Sequence, residues 1–301
     1  MIDFLKKKQN SRYEVIVPGT SANLGPGFDA LGIAWELYNH FFFKRSDKYE
    51  YINIKEEYQN EDNLVIVSAK ETFKYLKKKE IPFALEIKEN VPVSRGLGSS
   101  ATCILAGVIG AMLLGDARLS DEEIVKIATK VEGHPDNIVP AYYGSLCAIA
   151  IDNDDIVFSR FNVSRDLCFT ALIPPFSLET KHAREVLPHE LSYQDAIYNM
   201  SRALIIPNAF ETGDLGKLNH VMKDKMHEPY RYPLIKDSEV FREFAIKNEL
   251  PLCISGSGST LLLISKENEL KQLSNIKLDN EWRYLELKVA RKGTRWVEYD
   301  D

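Results

Sequence analysis

Only four cysteines occur in 301 residues, Cys103, Cys147, Cys168 and Cys253, and no two form a Cys-x-x-Cys pair. That distribution excludes a dense disulfide framework and a thiolate metal knuckle, and it fits reduced cysteines in a core. Long hydrophobic runs are missing too. The longest mainly apolar stretch, Ala101 to Gly115, is interrupted by Gly107 and Gly110 and falls short of the roughly 20 residues that span a bilayer. It reads as a buried helix. Basic charge is scarce: 38 Lys and Arg against 44 Asp and Glu leave a formal charge of -6, which opposes broad binding to nucleic acid. The basic run Lys6-Lys7-Lys8 is short and reads as a solvated stretch. Ile2, Phe4 and Leu5 are too few for the apolar segment of a secretory signal, so a cytoplasmic protein without membrane or nucleic-acid partners is expected. An apolar fraction of 45% and a charged fraction of 27% exclude disorder.

The length exceeds the ~100 to 200 residues of one typical domain, so two domains sharing a cleft are expected. Alternation at Tyr13, Val15 and Val17, at Phe83, Leu85 and Ile87, and at Leu285, Leu287 and Val289 predicts strands in both halves. Ile124, Ile127, Ala128 and Val131 fall on one helical face after a Ser120/Glu123 capping box, and that helix should end at Gly133. Asp152-Asn153-Asp154-Asp155 predicts a tight turn, and Pro174-Pro175 breaks any regular element. The boundary is placed between them, giving a mixed α/β domain over 1–160 and an α+β domain over 161–301.

No Gly-x-x-x-x-Gly-Lys-[Ser/Thr] phosphate loop is present, since Gly216-Lys217 is followed by Leu218. Another glycine-rich segment stands out: Pro92-Val93-Ser94-Arg95-Gly96-Leu97-Gly98-Ser99-Ser100-Ala101, between a strand and the apolar helix. Such a turn lets backbone N–H groups approach an anion, the helix dipole favours phosphate there, and the two serines offer hydroxyls to Mg²⁺. By itself the string also fits a flexible turn. Gly96-x-Gly98-x-x-Ala101 and Gly25-x-Gly27-x-x-Ala30 satisfy the dinucleotide fingerprint, but neither has a convincing acidic residue ~20 positions on. Two further loops are rich in small residues. Pro18 to Asp29 carries Asn23 and Asp29, which an ordinary Asx turn would also explain, and Ser255-Gly256-Ser257-Gly258-Ser259 could be merely a hairpin turn.

Glu132 falls in the last turn of the Ser120 helix, where the dipole disfavours a carboxylate by ~0.3 to 1 kcal/mol unless a cation offsets it. Mg²⁺ needs only one or two protein oxygens beside its waters and phosphates, so Ser100 and Glu132 would suffice. His134 and Asp136 follow, but a third and fourth ligand at zinc spacing are lacking. Structuring the His134-Pro135-Asp136 loop and taking part in catalysis remain equal readings of that pair.

Together, the 92–101 loop, Asn23-Leu24-Gly25-Pro26-Gly27-Phe28-Asp29 and the 255–259 loop resemble the three ordered motifs of the GHMP kinase superfamily. Thr20 to Asp29, Glu132-Gly133-His134-Pro135-Asp136-Asn137 and His227-Glu228-Pro229-Tyr230-Arg231 are most similar to its homoserine-phosphorylating branch. The resemblance spans nearly the whole chain. It implies a two-domain α+β GHMP fold with a ferredoxin-like C-terminal α/β sandwich, and ATP-dependent phosphorylation of the L-homoserine hydroxyl in threonine biosynthesis. It further implies that Pro92 to Thr102 wraps the ATP phosphates, that Asn63 lies by the adenine, and that Ser100 and Glu132 hold Mg²⁺. Asn23, Asp29, His134 and Asn137 would line the substrate site, the last three as candidate catalytic residues, without a strong general base. Thr180, Arg184 and Arg231 would meet the amino-acid carboxylate; read without the family, the two arginines are surface charges. Ser259 stands where the third motif usually has proline, and Glu179 where a serine is frequent. Another small-alcohol kinase of mevalonate type, or a non-catalytic ligand-binding relative, are the alternatives. A homodimer is compatible with all of these readings.

Overall fold

A computed structural model describes residues 11–299; the Lys6-Lys7-Lys8 run and the apolar residues before it lie outside the described residues. The first sheet joins β1 (Arg12–Ala22), β2 (Leu31–Arg45), β3 (Glu50–Ile52), β4 (Phe83–Lys88), β5 (Leu146–Asp152) and β6 (Asp155–Phe161) with the final strand, β11 (Arg295–Tyr299). The second sheet has the order β10-β7-β9-β8, from β7 (Cys168–Ile173), β8 (Leu252–Ile254), β9 (Leu261–Ser265) and β10 (Arg283–Leu287). β2 is long enough to serve two neighbours on one side. Its later half pairs with β4 at His40 to Arg45, and its start pairs with β5 at Leu31 to Ile33.

Among the described residues, four helices belong to the first half: α1 (Leu64–Tyr75), α2 (Ser99–Leu114), α3 (Asp121–Glu132) and α4 (Ile138–Tyr143). α2 is apolar all round because it is central, packed on α1, α3, α4, β1 and β2. The glycines that interrupt it are contact points: a Cβ on Gly110 would stand 2.5 Å from the Phe43 ring. α3 begins with the expected capping box and ends at Gly133, whose φ of 95° suits glycine. The second half adds α5 (Thr180–Glu185), α6 (Tyr193–Ala203), α7 (Ile206–Thr212), α8 (Leu215–Val221), α9 (Glu228–Arg231), α10 (Ser238–Lys247) and α11 (Leu270–Leu273).

One apolar cluster joins the halves, with Leu31, Trp35 and Leu97 from the first packed against Phe169, Phe210 and Leu262 from the second. Burying such side chains stabilises by roughly 1.5 to 3 kcal/mol each, so the loops facing one another across this seam are held against a stiff base. The Asp152 to Asp155 turn closes the β5/β6 hairpin, as expected. We keep 160/161 as the proposed division; it falls within the last residues of β6, and the chain returns to the first sheet through β11, paired with β1. Two expectations need correction. Only Cys147 and Cys253 are buried, Cys103 and Cys168 being half-buried, and Val289 lies past β10 in an isolated bridge to Trp35.

Candidate active site

A cleft of about 580 Å³ runs along the seam, bordered by loops from both sheets. At one end Asn63 caps α1, its Oδ1 accepting from Val65 N at 3.0 Å while its Nδ2 donates to the Tyr58 carbonyl at 2.9 Å. The glycine-rich turn follows. Ser94, Gly96 and Gly98 take φ values of 52°, 74° and 69°, and Gly98 enters α2 with no side-chain cap on the free N–H groups of its first turn. The turn has no room for side chains. A Cβ on Gly96 would stand 2.2 Å from the Ser255 carbonyl oxygen, and one on Gly98 2.0 Å from Thr20 Oγ1. Thr20 N donates to Leu97 O at 3.0 Å, and Ser255 Oγ lies 2.6 Å from Gly96 O. The three loops singled out by composition therefore meet at one point. The 255–259 loop is indeed a hairpin connection, between β8 and β9, and it is also a wall of the cleft.

Within the 92–102 segment, Val93, Ser94, Arg95, Gly96, Gly98, Ser99 and Ser100 border the cleft. Leu97, Ala101 and Thr102 face the core instead, at 1% exposure or less, and Pro92 does not border the cleft. Arg95 is tied down by carbonyls, its Nη2 donating to Pro175 O at 3.0 Å.

Ser100 Oγ donates to Glu132 Oε2 at 2.5 Å, joining the start of α2 to the end of α3. Burial pushes the Glu132 carboxyl above its ordinary range, with the Ser100 hydrogen bond opposing. A carboxylate at a helix C-terminus in a poorly solvated place calls for a cation. Next to it, His134 Nδ1 contacts Asp136 Oδ1, and this hydrogen bond raises the imidazole pKa against the effect of burial. Asn137 accepts from Thr20 Oγ1 at 2.7 Å. Among the described residues, no group of three or more His, Cys, Asp or Glu is arranged to hold a metal by itself.

Where the first and third loops meet, Asn23 (φ 72°) donates to Gly256 O at 2.7 Å and accepts from Asp29 N at 3.0 Å, so the first loop is braced on the third. Asp29 forms a two-bond pair with Arg184, both contacts 3.0 Å, half-exposed at the cleft. Thr180 Oγ1 lies 3.2 Å from Ser257 Oγ. Arg231 is not a surface charge: it is 2% exposed. Its Nε donates to Ala183 O at 3.0 Å, its Nη1 lies 3.3 Å from Gly256 O and from His227 Nδ1, and its guanidinium carbon stands 5.2 Å from the Phe28 ring centroid. No bond to Nη2 is formed among the described residues, and the side chain borders the cleft. Burial, then the neighbouring Arg184, lowers its pKa to about 10, which leaves it charged at neutral pH.

Several supporting residues have roles that the sequence does not disclose. Thr20 bonds Asn137 through its hydroxyl and the turn through its backbone N–H, Asn39 holds the segment entering the turn through its side chain, and Asp224 accepts the backbone N–H groups of His227 and Glu228, each at 2.7 Å. A short polar residue in a strand gives no hint that its partner lies far along the chain. His227 is fully buried, stacked on Phe28 with centroids 5.1 Å apart and bonded to Gly25 O at 2.9 Å.

The GHMP kinases N terminal domain family matches residues 63–145, which hold the turn and the Ser100/Glu132 pair. A homoserine kinase of Clostridium botulinum (strain Kyoto / Type A2) is 39% identical over 288 residues, covering 93% of this chain and 97% of that protein. A homoserine kinase of Clostridium beijerinckii is 39% identical over 296 residues, covering 94% and 98%. Among solved structures, homoserine kinase from Cytophaga hutchinsonii superposes with a TM-score of 0.81 at 23% identity, covering 95% of this chain and 97% of that one, which shows the shared two-domain α+β fold. With full-length relatives at this identity and the loops of the cleft built as described, the chain belongs to the homoserine kinase family of the GHMP kinases.

Proposed function

We propose that this cleft transfers the γ-phosphoryl group of ATP to the side-chain hydroxyl of L-homoserine, giving O-phospho-L-homoserine and ADP. The observation that carries the reading is the Ser100/Glu132 pair at the uncapped start of α2, facing a cluster of Asp29, Arg184 and Arg231 along the same cleft. The free amides of the α2 first turn would hold phosphate oxygens, with Asn63 beside the adenine. Ser100 and Glu132 fit Mg²⁺, since one hydroxyl and one poorly solvated carboxylate are oxygen donors in need of a cation. When bound there, the ion would neutralise charge on the phosphates.

Arg231 Nη2 and Arg184 are the groups for the α-carboxylate, with Thr180 nearby, and Asp29 is the group for the α-ammonium. In the ligand-free arrangement Asp29 and Arg184 satisfy each other; a zwitterion offers each a replacement partner. Asn23, His134 and Asn137 then surround the position of the hydroxyl. Its oxygen bonds to the γ-phosphorus as the bond to the β–γ bridging oxygen breaks, and the hydroxyl proton leaves late, to an oxygen of the transferred phosphoryl group and from there to water. A loose, metaphosphate-like transition state needs alignment and charge neutralisation more than proton abstraction, so no side chain is assigned as a base.

Cytoplasmic residence suits an ATP-consuming biosynthetic enzyme, and among the described residues no helix is long and apolar enough to cross a membrane. A homodimer is supported by the outer face of α6 and the residue after it, where Tyr193, Ile197, Met200 and Leu204 are exposed. Sedimentation equilibrium checks it. The function is tested by ADP release from MgATP with L-homoserine, mevalonate, galactose, L-serine and L-threonine. Turnover with L-homoserine alone is expected; turnover with a different alcohol refutes the substrate, and silence across the panel favours a non-catalytic ligand-binding protein.

A further inference from the structure

The glycine-rich turn has glycines with positive φ and few side chains of its own, yet its amides must keep fixed directions to hold an anion. We propose that Asn39, in the middle of β2 and outside the cleft, is the positioning residue that fixes them. Its side chain is 1% exposed. Its Oδ1 accepts from Asn90 N at 2.8 Å and from Val91 N at 2.9 Å, immediately before the turn. Its Nδ2 donates to Thr102 Oγ1 at 3.0 Å, in the first turn of α2, and that hydroxyl passes its own proton to Ser99 O at 2.7 Å. One buried amide thus holds both ends of the segment between Val91 and Thr102.

The chemistry requires an amide. The two backbone N–H groups need an acceptor, and the Thr102 hydroxyl, whose proton is already used, needs a donor. A carboxylate supplies no donor, and a buried one would carry an uncompensated charge. The segment entering the turn is locked besides, because Asn90 Nδ2 donates to Tyr38 O at 2.7 Å. With both ends set from β2, the central strand of the first sheet, the free amides of Ser99 and Ser100 keep their directions before nucleotide arrives. Ordering the loop on binding would otherwise weaken nucleotide affinity.

The inference rests on reading the turn as the nucleotide loop, so the test separates the two. Asn39→Leu keeps the approximate volume and removes every bond; Thr102→Val removes only the far tether. Steady-state kinetics with each substrate varied in turn should give a KM for ATP about tenfold higher in Asn39→Leu, as when an outer partner of a ligating group is lost. Thr102→Val should raise it roughly threefold, half of that effect on a logarithmic scale because one of two tethers survives. The KM for L-homoserine should stay within about twofold in both. The double variant should be no worse for ATP than Asn39→Leu, since both act through one contact. A purely structural role would lower the melting temperature without separating the two KM values. If Asn39→Leu does not fold, Thr102→Val decides alone: an unchanged KM for ATP, or equal rises for both substrates, overturns the assignment. A wild-type protein that fails to bind MgATP overturns the nucleotide reading and this inference with it. A wild type that binds MgATP, with variants whose KM for ATP does not move, overturns only the role of Asn39.

Discussion

Glu132→Gln separates metal binding from folding, because its effects on the two should have opposite signs. Burial raises the carboxyl pKa, so between the ordinary value of 4.5 and the raised one the folded protein keeps a proton that the unfolded chain releases. Stability therefore falls as pH rises through that window. The amide cannot ionise and its oxygen can still accept from Ser100, so the ligand-free variant should melt at or above the wild-type temperature at pH 8. Catalysis should suffer. A unit charge about 4 Å from a divalent cation in an effective dielectric near 20 interacts by roughly 8 kcal/mol, twice the figure for two unit charges, and the water that takes the vacated position restores most of it. We expect roughly 1.4 to 3 kcal/mol of lost transition-state stabilisation, a ten- to hundredfold fall in kcat.

The same loss should appear without turnover. At a nucleotide concentration of about 100 Kd, binding stabilises by ~2.7 kcal/mol, and a tenfold weaker site leaves ~1.4 kcal/mol. The MgATP-induced rise in melting temperature should shrink by about 2 to 4 °C, read by scanning calorimetry with and without Mg²⁺. A variant with near-normal kcat and an undiminished Mg²⁺-dependent shift would refute the placement of Glu132 beside the metal.

Arg231→Ala should raise the KM for L-homoserine at least about tenfold, with a smaller change in kcat, since the guanidinium meets a group remote from the transferred phosphoryl; an unchanged KM removes it from the substrate site. Because Arg231 is buried and bonded to Ala183 and Gly256, the variant should also lose about 1 to 3 kcal/mol of stability in urea titration. Gly96→Ala and Gly133→Ala both put a side chain at positive φ, but a Cβ on Gly96 meets the Ser255 backbone whereas one on Gly133 meets nothing within 4 Å. Gly133→Ala should cost only the backbone penalty of about 1 to 2 kcal/mol and keep its KM for ATP, while Gly96→Ala should raise that KM sharply; equal behaviour would contradict the close packing of the turn. His134 has a raised pKa chiefly because of its hydrogen bond to Asp136. Its contribution to stability is full below the ordinary value of 6.5 and is lost as pH rises through the raised value, so Asp136→Asn should move the His134 titration seen by NMR to lower pH, and an unmoved titration would show that the pair does not set it.

Much of this was legible in the chain because it rests on local chemistry. The capping box at Ser120, the end of α3 at Gly133 and the apolar character of α2 follow from spacing and side-chain type. The three loops declare themselves by glycines that only a tight turn or a close approach requires, at Gly96 and Gly98 above all. Resemblance to known motifs supplied the candidate ligands that spacing could not, Arg184 and Arg231 among them.

Only the tertiary structure could bring those loops to one point. Thr20, Leu97 and Ser255 are separated by up to 235 positions, and their meeting depends on the apolar seam between the two sheets. It also decided that Arg231 is buried and that Cys103 is not fully so. Burial depends on what packs from elsewhere in the chain, which local periodicity does not encode. Asn39 is the clearest case: in the sequence it is one polar residue in an aromatic strand, and its meaning comes from partners 51 to 63 positions away. Sequence alone determined which segments could turn, cap and approach a phosphate; the fold decided which side chains hold them still, because hydrogen bonds between distant residues leave no pattern along the chain.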